Sequence, residues 1–344
     1  MTQNRVLRLV VMAGVLALSS LRTFSQTPVA PWPREPEVAT PRPGPPAAAD
    51  LELIGEYEGP AAAGGGARPH LYVFERDGLL WAIIGRGAAQ PADLTPARHP
   101  TGRVTGVTMG GVAYTRLQVG PDDGSGQLRV SPIRPVEAVL RESRALAPPA
   151  ESGTFRPADL VELVTLDPTI KLDVRYATTN NFLGSVFYAQ ARAFLQRPAA
   201  EAVARAHRAL QPLGYGLLVH DGYRPWSVTR TFWETTPAEK KWLVANPAQG
   251  SKHNRGAAVD LTLYDLATGR VVDMPSTYDE STPRAYAFYP GGTSRQRWHR
   301  ALLRRVMENE GFTVNPEEWW HFDHDDWRRY AIGNQPFEQI TRVR

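Results

Sequence analysis

Ser251-Lys-His-Asn-Arg-Gly-Ala-Ala-Val-Asp260 sets a histidine and an aspartate on either side of a glycine, and the alternation from Ala257 to Tyr264 predicts that its second half is a β-strand. Gly256 lets the chain reverse before that strand, which brings His253 and Asp260 together across the turn. A second segment, Glu317-Glu-Trp-Trp-His-Phe322, adds His321 with Glu318 three residues before it. The chain has no cysteine, so a metal here must be held by imidazole nitrogen and carboxylate oxygen. A catalytic zinc takes three such ligands and keeps a position open for water. His253, Asp260 and His321 form a candidate set. Glu318 then stands near the metal without having to bind it, as a general base for that water must.

Singly, each residue has a plainer reading. A lone histidine is more often structural than ligating, and His70, His99, His207, His220, His299 and His324 stand in no such pattern. Asp260 suits a turn cap, and Trp319 and Trp320 suit a core or a pocket wall. Only the combination points to chemistry.

Around these segments the texture is α+β. Pro198 to Leu213 has helical apolar spacing, with a proline near its start and Gly214 after its end. Arg295 to Glu310, closed by Gly311, predicts a second amphipathic helix, and Leu217 to His220 a short buried strand before Asp221-Gly222. Upstream, His70-Leu-Tyr-Val-Phe-Glu-Arg-Asp-Gly-Leu-Leu-Trp-Ala-Ile-Ile84 alternates on both sides of Asp77-Gly78, which predicts a β-hairpin. Gly111 to Val119 and Gly126 to Val130 continue the short-strand pattern. Tyr57, Tyr72 and Trp81 in this part are candidates for facing a ligand, although an alternating hairpin more often turns its aromatics inward.

These textures divide the 344 residues into an export signal (1–25), a proline-rich linker (26–50), a small β-domain (51–131), a second linker (132–156) and a catalytic domain (157–344). Arg5 and Arg8 precede an apolar stretch from Leu9 to Leu21, short for a membrane span, and Thr23 and Ser25 suit a cleavage site. The expected location is secreted or periplasmic, with no membrane span after signal removal. Eight prolines in 27–50 predict an extended spacer.

Composition narrows the function classes. Zero cysteine excludes a disulfide scaffold, a cysteine nucleophile and an iron–sulfur cluster. The net charge is +4, and three of those positive charges (Arg5, Arg8 and Arg22) lie in the signal, so the remaining +1 argues against nucleic acid as a partner.

Residues 170–330 resemble the zinc D-alanyl-D-alanine dipeptidases of the VanX type. The likeness is carried by Asp173-Val-Arg-Tyr-Ala-Thr-Thr-Asn-Asn-Phe-Leu-Gly184, Gly214-Tyr-Gly-Leu-Leu-Val-His-Asp-Gly-Tyr-Arg-Pro225, Ser251 to Tyr264, and Met307-Glu-Asn-Glu-Gly-Phe312 leading to Glu318-Trp-Trp-His321. The resemblance implies a hedgehog/D-Ala-D-Ala peptidase-like fold, a central, mainly antiparallel sheet with flanking helices. It implies one Zn2+ on His253, Asp260 and His321, with Glu318 as base and Arg224 stabilising the oxyanion. It places Ser251 near the substrate carboxylate and Asp279 against its ammonium, with Tyr176, Asn181 and Phe182 lining the pocket. The implied substrate is free D-Ala-D-Ala. A D,D- or L,D-carboxypeptidase acting on peptidoglycan stems shares the same machinery, and a non-catalytic wall-binding protein would need neither Glu318 nor Arg224. The segment 51–131 loosely resembles small β-domains appended to secreted serine β-lactamase-like hydrolases, through Leu53-Ile-Gly-Glu-Tyr57 and Leu71-Tyr-Val-Phe-Glu-Arg-Asp-Gly78.

Overall fold

The computed structural model describes residues 32, 41–47, 51–61, 66–117 and 128–340. The expected export signal lies outside them, as does most of the proline-rich stretch. No helix among the described residues is long and apolar enough to cross a membrane.

Seven strands form an antiparallel N-terminal sheet: β1 (Gly55–Glu58), β2 (His70–Arg76), β3 (Leu79–Ile84), β4 (Gln90–Pro91), β5 (Thr95–Arg98), β6 (Val104–Met109) and β7 (Val112–Arg116), ordered β4-β3-β2-β1-β7-β6-β5. The expected hairpin is β2–β3. Asp77 (φ 54°) and Gly78 (φ 79°) both take the positive φ that its two-residue turn demands. Leu71 through Glu75 are buried without a break, so the alternation does not leave one face in water. Leu71 and Val73 pack with Tyr57, Val107 and Tyr114, while Tyr72 and Phe74 meet Trp32, Ile83 and Tyr289. Tyr57 and Tyr72 are therefore core residues, and Trp81 is half-buried with the Arg76 guanidinium 4.8 Å above its ring. Nothing in this arrangement supports a cell-wall polymer as the ligand of these aromatics.

Three expectations along the connecting segments change. The described part of Gly126–Val130 is not a strand; the Val130 N–H donates to Phe182 O at 2.7 Å and its side chain joins an aromatic core beside Tyr176. The stretch 132–156 holds helix α1 (Val136–Arg144), whose Val136, Val139 and Leu140 recur at helical spacing and are buried. Of the proline-rich stretch, Trp32 is buried against Tyr72, and Pro43 O accepts from Arg295 Nε at 3.1 Å, so these residues lie on the protein body.

The rest is α+β, as expected. Along the chain come β8 (Leu160–Glu162), α2 (Leu163–Leu166), β9 (Lys171–Leu172), β10 (Phe194–Gln196), α3 (Arg197–Leu210), β11 (Tyr215–Asp221), α4 (Trp226–Thr235), β12 (Ala258–Asp265), α5 (Ser294–Glu308), β13 (Phe312–Asn315) and β14 (Glu318–His324). A five-stranded sheet runs β13-β14-β12-β11-β9, antiparallel at every pair except β11–β9. Helices α3 and α5 pack on it and on each other. Leu217, Val219, Leu261 and Leu263 of the two central strands, with Val203, Leu210, Leu303 and Met307 of the helices, are fully buried, each burial stabilising by about 1.5–3 kcal/mol. Helix α1 packs on α4 beside a second, aromatic-rich core. This scaffold fixes the central strand β12, whose first seven residues are all buried and include Asp260.

Candidate metal centre and active-site cavity

Asp260 is the third residue of β12 and pairs directly opposite His321 on β14. His253 reaches them from a short 3-10 turn, His253–Arg255, closed by Gly256 at φ +67°. A Cβ there would lie 2.7 Å from Leu160, so glycine serves both the turn and the packing. One ligand atom each from His253, Asp260 and His321 lie within 4.8 Å of one another. His253 Nε2 is 3.4 Å and His321 Nδ1 3.1 Å from Asp260 Oδ1, and the two nitrogens are 3.1 Å apart.

The outer contacts decide which atoms face inward. His253 Nδ1 lies 2.7 Å from the Gly222 carbonyl, which only accepts, so that nitrogen carries the proton and Nε2 turns a lone pair to the centre. His321 Nε2 lies 2.9 Å from Asp323 Oδ1, so by the same argument Nδ1 faces inward unprotonated. Lys252 in turn holds Asp323. Asp260 Oδ2 accepts from Tyr278 OH at 3.0 Å, while Oδ1 is buried with no hydrogen bond. Three lone pairs thus converge on one point, an arrangement that repels itself until a cation fills it. A proton is one such cation: burial works against both charges, yet the imidazoles hold the Asp260 carboxyl well below its ordinary pKa and Asp260 with Asp323 holds His321 well above its own, so a metal entering here would displace a proton from this imidazole. The donor set, two nitrogens and one carboxylate oxygen, fits zinc.

A cavity of about 300 Å³ opens beside the triad, at the small end of the roughly 300–1,000 Å³ range of ligand sites. Glu318, at the start of β14, reaches within 3.6 Å of His321 Nδ1 and accepts from Asn315 Nδ2 at 3.1 Å. Its side chain is 37% exposed at the cavity mouth. Burial among its neighbours and the Asp260 charge raise its pKa, against the pull of His321. Arg224 also lines the cavity, under the rings of Tyr176 (5.3 Å) and Phe232 (5.1 Å). Its Nε and Nη2 donate to Asp221 Oδ2 at 2.9 and 2.8 Å, and the Asp221 Oδ1 accepts from Tyr188 OH and Gly222 N–H, both at 2.9 Å. A β-bulge between Val219 and Asp221 turns this carboxylate inward.

Ser251, Asp279, Tyr176 and Phe182 line the same cavity. Asp279 adopts φ +60°, sparsely populated for a non-glycine residue, and accepts from Tyr176 OH at 3.0 Å. Burial, with Asp260 and Glu318 nearby, pushes its pKa up to about 8. Asn181 does not line the cavity. It is fully buried, donates to the carbonyls of Thr178 and Ser185 at 2.7 Å, and accepts from Leu183 N–H, so it shapes the 175–185 loop whose Tyr176 and Phe182 form the wall.

Four site residues escape the sequence reading: Asp221, Tyr278 and Asp323, which orient Arg224, Asp260 and His321, and Trp242, half exposed on the cavity rim. Asp323, two residues past the candidate ligand His321 on one strand face, carries the one available signal.

The family model described as D-ala-D-ala dipeptidase matches residues 156–340. Curated D-alanyl-D-alanine dipeptidases are similar to a little under half of the chain. That of Escherichia coli K12 is 34% identical over 165 residues, covering 48% of this chain and 84% of the relative. That of Enterococcus faecalis is 34% identical over 171 residues (44% and 85%), and that of Streptomyces coelicolor 32% over 171 residues (44% and 85%). With a matched segment spanning more than half its length, folded around a His-Asp-His centre, this chain belongs to the D-Ala-D-Ala dipeptidase family of metallopeptidases.

Proposed function

We propose that this protein is an exported zinc enzyme that hydrolyses the free dipeptide D-Ala-D-Ala during cell-wall turnover. The observation that carries the reading is one small cavity lined by the His253, Asp260 and His321 triad together with Glu318, Arg224, Ser251 and Asp279. The relatives' activity supports the substrate, and the five-stranded sheet suits a hedgehog/D-Ala-D-Ala peptidase-like arrangement. The basic and apolar N-terminal sequence supports export to a secreted or periplasmic location. Outside the cytoplasm the enzyme would meet dipeptide released by wall turnover rather than dipeptide newly made in the cytoplasm.

His253, Asp260 and His321 would hold zinc, which when bound supplies a Lewis acid and lowers the pKa of water. Glu318 accepts the proton of the attacking water and returns it to the nitrogen of the breaking C–N bond, releasing two alanines. Arg224 donates to the carbonyl oxygen as negative charge develops there, its fork already oriented by Asp221. Asp279 pairs with the substrate ammonium, and the Ser251 hydroxyl lies on the carboxylate side. Zinc at a hundredfold excess over its Kd adds about 2.7 kcal/mol to stability. At about 2–4 °C per kcal/mol, Tm should rise by roughly 5–10 °C on zinc loading and fall back with chelator, and His321→Ala should lose that response.

The deciding assay sets D-Ala-D-Ala beside a peptidoglycan pentapeptide with the zinc-loaded protein. Hydrolysis of the dipeptide alone is expected, and Asp279→Asn should raise its KM at least about tenfold by removing the ammonium's partner. Cleavage of the pentapeptide with an idle dipeptide would move the assignment to a carboxypeptidase. Zinc binding with neither substrate cleaved would leave a binding protein.

A further inference from the structure

No side chain of the N-terminal sheet lines the cavity, yet the sheet grips the loop that does. Residues 274–293 lead into α5. Near their start, Tyr278 donates to the ligand Asp260, and Asp279 presents its carboxyl to the cavity. Their far end sits on β2. Tyr289 OH donates to the buried Glu56 at 2.9 Å, and its ring meets Tyr72 edge-on at 6.1 Å. Glu75, only 3% exposed, accepts from Ser294 N at 2.6 Å, from Ser294 Oγ at 3.1 Å and from Gly78 N at 2.7 Å. Its carboxylate thus sits at the N-terminus of α5, where unpaired amides and the helix dipole favour an anion. The main chain of Glu75 is held as well: its N donates to Gly292 O at 3.2 Å, and its carbonyl accepts from the Arg297 side chain, Nη2, at 2.6 Å. Between the two ends, Ala287 N donates to Pro316 O at 3.0 Å, beside the turn that carries Glu318.

Two carboxylates buried in a small sheet are costly unless their partners are fixed. Here each is held from both sides: within the sheet by His70 Nε2 on Glu56 at 3.0 Å and by Gly78 N on Glu75, and from the substrate loop and the helix it enters by Tyr289 and Ser294. Asp279 also holds a positive φ, a conformation that persists only where its surroundings impose it. We propose that the seven-stranded sheet is a brace for the 274–293 loop, with Glu75 and Glu56 as positioning residues that keep Tyr278 and Asp279 in place for the dipeptide. The choice of substrate in the test rests on the dipeptidase reading; the brace itself does not.

The test uses the full zinc-loaded chain with Glu75→Ala, the conservative Glu75→Gln, and Tyr289→Phe, which keeps the ring and removes one hydrogen bond. Amide hydrogen exchange in 274–289 should quicken about tenfold in Glu75→Ala and less in Glu75→Gln, with 253–262 and 318–324 unchanged. KM for D-Ala-D-Ala should rise about tenfold in Glu75→Ala with a smaller change in kcat, and Tyr289→Phe should shift both readouts the same way. Unchanged loop exchange and KM, with only a lower Tm, would overturn the brace and leave the sheet a folding companion. If wild-type protein leaves the dipeptide intact, the dipeptidase reading fails while loop exchange still decides the brace.

Discussion

Glu318→Gln is expected to lower kcat on D-Ala-D-Ala by about a thousandfold, within the range of 10²–10⁴ that a positioned general base contributes. Glutamine has the same shape and can still accept from Asn315 Nδ2, the 3.1 Å contact that orients Glu318. It cannot take a proton from water. KM and zinc content should stay near wild type, because Glu318 stands beside the His-Asp-His triad rather than within it. Stability gives a second check. The Glu318 pKa is raised in the fold, so above the unfolded value of 4.5 the unfolded chain releases this proton more readily than the folded one does. The carboxyl therefore disfavours the fold at neutral pH, and metal-stripped Glu318→Gln should melt no lower than wild type at pH 7, an advantage that disappears below about pH 4. A variant that kept kcat, or lost zinc along with activity, would remove Glu318 from the role of base.

The grouping of His253, Asp260 and His321 was legible in sequence for a physical reason. Gly256 marks the reversal between His253 and Asp260, and the absence of cysteine leaves only nitrogen and oxygen donors. The pairing that sets His321 opposite Asp260 is a register of β12 on β14, which local pattern does not encode. Asp221 was hidden because Asp-Gly is a turn signal, whereas here the aspartate ends a buried strand at a bulge. The resemblance sets Asn181 in the pocket wall, whereas its amide serves loop carbonyls, a distinction that residue type and position alone do not carry. Helix α1 was masked by the prolines around it, and the burial of Glu56 and Glu75 follows from what covers β1 and β2 rather than from the strands themselves.

Arg224→Lys is expected to lower kcat by about 10²–10³, the usual loss when one oriented donor to a developing oxyanion is removed. The substitution keeps the charge, so the buried Asp221 retains a cation, and the fold should survive with a modest fall in Tm. What lysine cannot reproduce is the fork. Nε and Nη2 of Arg224 both hold Asp221 Oδ2 while the planar group lies under Tyr176 and Phe232, leaving its remaining edge for the cavity. A lysine that pairs with Asp221 has no second arm for the carbonyl oxygen. Arg224→Ala is a different experiment, because it leaves a fully buried carboxylate unpaired at a cost of about 3–5 kcal/mol, and its low activity would be confounded with unfolding. Asp221→Asn completes the argument. If Asp221 acts through Arg224, the double variant Asp221→Asn with Arg224→Lys should be scarcely slower than Arg224→Lys alone, since the second change removes an orientation already lost. Losses that multiply would mean that the two residues act independently, and an unchanged kcat in Arg224→Lys would leave the arginine as no more than the counterion of a buried acid.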